Sequence, residues 1–419
     1  MMNRSGKQAT LLLLGSSLSG IALGAGFSLN EQSVSGLGQA FAGRASDAID
    51  ATTIYGNPAG MSRLDATEIS GGLSVIKASS DIRHASGTFP GSNRGDMVPT
   101  VTVPFLYYAQ RIDSHWHAGF GVYSPFGLIT DYERGFQGRY FGVKSAVKTI
   151  TAQPTVSYHF DKHWSLGGGI TYNHIEGELT RDNPNPVNLA SPIGSKVRGS
   201  DSAWGYNIGV LFEFDENTRA GLTYHSKVDY TLEGRTYISD HPLLGNPVYR
   251  ASLDLTVPDL IDFSVTHPLA EHWLLHAGVT RTGWSSFSRL KVVNKGAPAA
   301  LAQTVEEEKW DDTWSYALGV SYQLNPQWLL RAGVARDQSP IPNSRRTVRI
   351  PSDDRTIYAF GATWSPTPSL SVDLAYAYLH EPRNNVDQTT EIAPGNSIYY
   401  SAQYQNTAQA LAVQLNWKL

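Results

Sequence analysis

Few groupings in this sequence have the residue types and spacing for covalent or metal chemistry. His115-x-His117 has the alternate spacing of a chelating pair, but both histidines lie beside a turn and no third ligand is near in sequence. Serine, histidine and aspartate abound, as a lipid hydrolase would require, yet no G-x-S-x-G elbow is present. Gly36-Leu37-Gly38 lacks the strand and helix of a dinucleotide site, and Arg94-Gly95-Asp96 is a chance tripeptide in a loop. With no cysteine in 419 residues, thiol nucleophiles, thiolate metal sites and disulfides are excluded. Neither an enzyme nor a metal or other cofactor is expected. One loop is more informative. Phe126, Leu128, Ile129, Tyr132, Phe136, Tyr140 and Phe141 form an apolar set that suits a hydrophobic binding surface or the loop's own small core. Should a ligand carry a carboxylate, Arg139, Arg181, Arg281 and Arg355 are candidates to meet it, with nothing to rank them. Glu306-Glu307-Glu308 reads as a solvated charge run, or a divalent-cation contact with lipopolysaccharide, rather than as part of a binding tunnel.

Such groups need a scaffold, and the composition points to β-structure. Thirty-nine glycines and 11% aromatics accompany only 17% charged residues. A net charge of −4 argues against a nucleic-acid partner. The mean hydropathy of −0.26 excludes a bundle of membrane helices but not a membrane barrel, where only half of each strand's side chains face lipid. Arg4 and Lys7, the apolar Leu11–Leu14 and a small-residue stretch ending in Ala22 and Gly24 have the form of an export signal cleaved after Gly24.

Beyond that point the chain alternates with period two. Trp204, Tyr206, Ile208, Val210, Phe212 and Phe214 share one face, as do Leu411, Val413, Leu415, Trp417 and Leu419. The strands run to roughly ten residues or more, enough to cross a bilayer at a tilt. Tight turns at Asp113-Ser114, Asp161-Lys162, Asp215-Glu216, Ala270-Glu271, Asn325-Pro326 and Pro366-Thr367 alternate with long polar loops. The loops are expected near 81–97, 125–147, 180–201, 233–250, 289–311, 339–354 and 381–406. Trp116, Trp164, Trp273 and Trp328 each follow a short turn, where indoles form a girdle at the headgroup level. Together these features predict an all-β fold, an antiparallel transmembrane β-barrel of about 14 strands over residues 66–419. Pro104, Pro154 and Pro258 mark expected bulges within its strands, and Pro125-Phe126-Gly127 breaks or ends strand three.

Residues 25–65 do not fit that wall. They are rich in Gly, Ala and Ser, with short helical turns expected over Ser33–Ala45 and a turn at Asn57-Pro58-Ala59-Gly60. Composition allows either a plug folded into the lumen or a periplasmic tail.

AGFSLNEQSVSGLGQAFAG followed by NPAGM resembles the N-terminal hatch of the FadL-type long-chain fatty acid transporters of Gram-negative outer membranes. The resemblance continues through SPFGLITDY (124–132), VPDL (257–260), GWSSF (283–287) and DQSPIPNSRRTVRIPSDDR (337–355), and so spans the mature chain. It implies a 14-stranded barrel with a small helical hatch in the lumen, located in the outer membrane among lipopolysaccharide and lipid, and a monomer. It further implies passive, ligand-gated uptake of long-chain fatty acids or similar hydrophobic molecules; aromatic or aliphatic hydrocarbons remain an alternative. By the same resemblance Ala25, Gly26 and Phe27 with Asn57, Pro58 and Ala59 belong to the hatch. Ser124, Pro125, Phe126 and Gly127 would form an inward kink that opens the wall sideways, with capture at Leu128, Ile129, Phe136, Tyr140 and Phe141.

Overall fold

The computed structural model describes residues 26–188 and 191–419, so the expected signal segment and Ala25 lie outside the described residues. Twenty strand segments, six of which resume a strand after a break, make fourteen antiparallel wall strands. They are β1 (Glu68–Gly87), β2 (Val101–Arg111), β3 (Trp116–Tyr123, resumed at Gly127–Asp131), β4 (Lys144–His159), β5 (Trp164–Asn183) and β6 (Ile193–Glu213). Then come β7 (Arg219–His225, resumed at Val228–Ser239), β8 (Val248–Val257, resumed at Leu260–Ala270) and β9 (Trp273–Thr282, resumed at Arg289–Lys295). The wall ends with β10 (Gln303–Glu307, resumed at Thr313–Asn325), β11 (Trp328–Asp337), β12 (Arg355–Thr367), β13 (Leu370–His380, resumed at Asn384–Ala393) and β14 (Asn396–Lys418). The ladder of β1 with β14, from Glu68↔Lys418 to Gly87↔Tyr400, closes the cylinder. No helix among the described residues is long and apolar enough to cross a membrane.

The alternation in sequence becomes an inside-out distribution of polarity. On β14, Leu411 and Trp417 are 63% and 55% exposed on the outer face, whereas Gln414 is fully buried within. A water-soluble sheet would reverse this; a barrel solvated by lipid requires it. The tight turns owe their shape to side chains that hydrogen-bond forward. Asp113 Oδ1 accepts from the His115 and Trp116 amides at 2.7 and 2.8 Å, and Asp161 does the same for His163 and Trp164. Each indole is thus delivered at a strand's first residue.

Several boundaries differ from the sequence expectation. The turn expected at Pro366-Thr367 falls at Pro368-Ser369, because β12 runs through Thr367. Much of the expected loop sequence is hairpin: the β5–β6 ladder continues to Asn183↔Ile193 and the β13–β14 ladder to Ala393↔Asn396. Polar side chains on both faces hide strand periodicity there, while the backbone ladder persists. Pro104 and Pro154 are not bulges, since Leu73↔Pro104 and Phe120↔Pro154 remain in register. Pro258 does sit in a break, between Val257 and Leu260.

Residues 26–65 fold inside the cylinder through α1 (Val34–Leu37), α2 (Thr53–Gly56) and a 3-10 turn (Pro58–Arg63). Ser33 caps α1 by accepting the Gly36 amide at 3.0 Å, and Asn57 accepts the Ala59 amide at the head of the 3-10 turn. Wall glycines make room for this backbone. A Cβ on Gly209 would lie 1.9 Å from Asn57 Oδ1, and one on Gly221 1.9 Å from the Ala45 carbonyl oxygen. Polar bonds hold the segment in place: Arg219 on β7 binds Asp47 at 3.0 Å, and Asn57 Nδ2 donates to the Ala45 and Val210 carbonyls.

Candidate functional site

The break in β3 is the starting point. The β3–β4 ladder runs from Trp116↔Tyr158 to Tyr123↔Thr151 and resumes one residue out of step at Gly127↔Lys148. Between them Pro125 has no amide hydrogen to donate, which ends the ladder. On the other edge, β2 pairs with β3 only as far as Leu106↔Val122, so Val101–Phe105 have no partner on that side. A gap therefore opens between β2 and β3 above Val122.

The N-terminal end of the described chain seals against this break from within. Leu29 N donates to the Pro125 carbonyl and Gly127 N to the Phe27 carbonyl, both at 2.9 Å, making an antiparallel bridge of Ser28 with Phe126. Phe27 is held in a cage of Trp284, Phe287, Trp310 and Phe126, with ring centroids 4.7–5.9 Å apart. Such tilted and edge-on contacts contribute about 0.5–1.5 kcal/mol each beyond area burial. Gly26 has φ +64, and a Cβ there would lie 2.7 Å from the Trp284 ring, so only glycine lets the chain enter the cage.

An apolar cavity adjoins the cage. Phe27, Leu128, Leu179, Leu232, Leu253, Phe287 and Leu290 supply its walls, and it encloses about 790 Å³ of non-atom space counted to its open side. Its polar groups include Arg349 and Glu308. Arg349 Nε binds Glu306 at 3.2 Å and Nη1 binds Ser145 Oγ at 3.0 Å. Its Nη2 has no acceptor within hydrogen-bond distance among the described residues. Burial, reinforced by neighbouring Glu306, pushes the Glu308 carboxyl up to about 7, although it accepts from Trp310 Nε1 at 3.0 Å. The charge run read as solvated is therefore partly interior: Glu308 lines the cavity and Glu306 braces its arginine. Strand register turns these side chains inward, which a run of three glutamates in sequence conceals.

A second, smaller cavity shares Leu128 and Ile350 with the first and reaches Gly26, Ile129, Arg355 and Glu381. Arg355 binds Glu381 at 3.4 Å. Close by, Glu31 is buried with Oε1 unpartnered among the described residues. Burial pushes its carboxyl up to about 8 against the pull of Arg44 and Arg355.

The expected site residues thus fall into separate places. Gly26 and Phe27 meet Ser124–Gly127 at the break, whereas Asn57, Pro58 and Ala59 lie deeper, against Gly209 and Gly167. Leu128 and Ile129 line the cavities. Phe136, Tyr140 and Phe141 do not. Phe136 stacks on Tyr132 at 3.9 Å, Tyr140 stacks on Phe89 at 4.1 Å, and Phe141 packs on the same cluster as Phe136, which also takes in Val348 and Tyr400, so these three belong to a core shared between loops and strands. Of the four arginines only Arg355 lines either of these two cavities. Arg139 binds Asp182, Arg181 binds Glu306 and Arg281 binds Asp312, none of them on a wall of either. Sequence reasoning missed Arg349; its signal was a cation flanked by the apolar Val348 and Ile350 in an otherwise polar loop.

Comparison with known proteins places this architecture. The family model described as outer membrane protein transport protein (OMPP1/FadL/TodX) matches residues 15–419. The long-chain fatty acid transport protein of Escherichia coli O6:H1 is 29% identical over 395 residues, covering 86% of this chain and 87% of its own. Outer membrane protein P1 of Haemophilus influenzae is 30% identical over 448 residues, covering 96% of each. The crystal structure of a Pseudomonas aeruginosa FadL homologue superposes with a TM-score of 0.85 at 22% identity, covering 94% of this chain and 100% of that one. The Escherichia coli relative and the family model are both described as transport proteins. A closed barrel, greasy outside and filled by its own leading segment, with this match along its length, makes the chain a member of the OMPP1/FadL/TodX family of outer membrane transport proteins.

Proposed function

We propose that this protein takes up long-chain fatty acids, or amphiphiles like them, passively across the outer membrane. The observation that carries this reading is an apolar cavity with a buried arginine at its edge, abutting the segment that seals the gap between β2 and β3. A water-filled pore does nothing for a molecule that avoids water; an apolar path closed to solvent does. Ligand is captured at the extracellular loops and enters the cavity with its chain against Leu232, Leu253 and Leu290. Its carboxylate meets the unpartnered Nη2 of Arg349, a charge-assisted bond. Release requires Phe27 to leave its cage, which connects the two cavities past Leu128 and Ile350 and frees the route to the gap. The arginine, already paired with Glu306 through Nε, favours an amphiphile over a hydrocarbon, which would leave its Nη2 without an acceptor.

Radiolabelled oleate entry into cells lacking other carriers tests the reading, with the wild type expected to restore uptake. Filling the opening with bulky substitutions around Gly127 should abolish it in a correctly folded barrel. Hydrolysis products without net entry would reject transport, and undiminished uptake in the filled variant would reject the lateral route.

A further inference from the structure

The outer face of β6–β9 carries a row of cations, of which only Arg198 also borders the apolar cavity. Arg198 on β6 stands opposite Arg235 on β7, Arg235 opposite Arg250 on β8, and Arg250 opposite Lys295 on β9. All four are exposed. Like charges placed directly opposite one another destabilise a sheet. Arg198 is answered at one end by Glu178 on β5. Arg235, Arg250 and Lys295 have no carboxylate within ion-pair distance among the described residues, although Glu233 shares their face two residues along β7.

The height of the row limits what can answer it. Tyr172 and Trp204, with ring centroids 5.0 Å apart, form an aromatic pair on the outer face of β5 and β6. Arg198 lies six residues further along β6, roughly 20 Å by strand rise and on the order of 14 Å along the membrane normal at a tilt near 45°. That is above the hydrocarbon, at the level of headgroup saccharides. Beside the row a groove is lined by Arg198, Arg235, Ser200 and Tyr237, with Glu176 and Glu178 on its far wall. Its tyrosine offers an apolar face to a sugar ring.

We propose that this row binds the phosphorylated saccharide portion of an outer-leaflet glycolipid, a lipopolysaccharide. Cations on adjacent strands are about 5 Å apart, so the four span about 15 Å. Several anionic groups distributed along a saccharide match that spacing; one small anion engages only a neighbouring pair. Bound phosphates replace the mutual repulsion with charge-assisted bonds.

The test uses the full barrel in detergent freed of glycolipid. Lipopolysaccharide is titrated against the wild type and against the triple variant Arg235→Gln, Arg250→Gln, Lys295→Gln, with circular dichroism confirming the β-fold. The variant is expected to bind roughly tenfold more weakly or worse, and in glycolipid-free detergent to melt higher than the wild type. Dephosphorylated lipopolysaccharide should bind the wild type as weakly as the variant binds the intact form. Equal affinity of the two proteins, undiminished binding of the dephosphorylated form, or full displacement by inorganic phosphate at matched phosphate concentration would each overturn the proposal. Should the triple variant fail to fold, Arg250→Gln alone, from the middle of the row, is expected to weaken binding several-fold, and no change there would count the same way.

Discussion

The interior of this barrel is two different materials. Toward the tight turns it is a polar solid. Arg219 with Asp47 and Arg331 with Asp373 are ion pairs with 2–11% side-chain exposure, and backbone carbonyls of the N-terminal segment press on wall glycines. Toward the long hairpins it is an apolar hollow, where Phe27 is held by ring contacts and two backbone bonds to the broken strand. Buried ion pairs are costly to separate because each half left behind is an unpaired charge. Aromatic contacts are weak singly and can re-form with an acyl chain in place of the ring. In the proposed mechanism the same segment stays anchored at Asp47 and is released at Phe27.

The sharpest way to break that contrast is Asp47→Ala. It strands Arg219 in the lumen and should cost about 3–5 kcal/mol, read as a lowered unfolding temperature in detergent. Phe27→Ala should lower that temperature less, because the surrounding rings border a cavity and can relax, while exposing the N-terminal segment to protease. Arg349→Ala is next. Loss of one charge-assisted bond, about 1.5–3 kcal/mol, should weaken fatty acid binding by roughly ten- to a hundredfold and leave binding of a hydrocarbon without a headgroup unaltered. Gly221→Ala pushes a methyl into the Ala45 carbonyl, and overpacking of this kind costs about 1–3 kcal/mol. It should loosen the anchored part and spare the cavity.

The smallest effect is one of pH, and it belongs to the releasable part. Glu31 has its pKa raised from 4.5 to about 8 in the folded protein. Between those values the folded state holds the proton and the unfolded state does not, so its contribution to stability is full below 4.5 and is lost as pH rises through 8. The protection factors of the amides near Phe27, in which the intrinsic pH dependence of exchange is divided out, should fall from pH 5 to 8 in the wild type and stay flat in Glu31→Gln. A wild-type profile without slope would remove Glu31 from the account of the gate.

The wall was legible in the chain because its rules are local. Period-two alternation places Leu411 and Trp417 outward whatever their neighbours do, and Asp113 or Asp161 closes its own turn within three residues. The cavity was not legible. Arg349 meets Ser145, and Phe27 meets Trp284 and Trp310, across separations that no local pattern reports. The apolar loop illustrates the ambiguity: composition allowed Phe136 and Tyr140 either to bind ligand or to pack, and it did not reveal the rings they stack on, Tyr132 and Phe89.

By itself, then, the sequence determined a lipid-facing cylinder, a strand count near 14, its aromatic girdle and that strand three breaks or ends at Pro125, because backbone chemistry and side-chain alternation act within a few residues. Only closure of the barrel decided that Glu308 turns inward, that Arg349 guards the cavity and that the leading segment bridges the broken strand. Those contacts depend on which strands become neighbours around the ring, and that is a property of the whole chain.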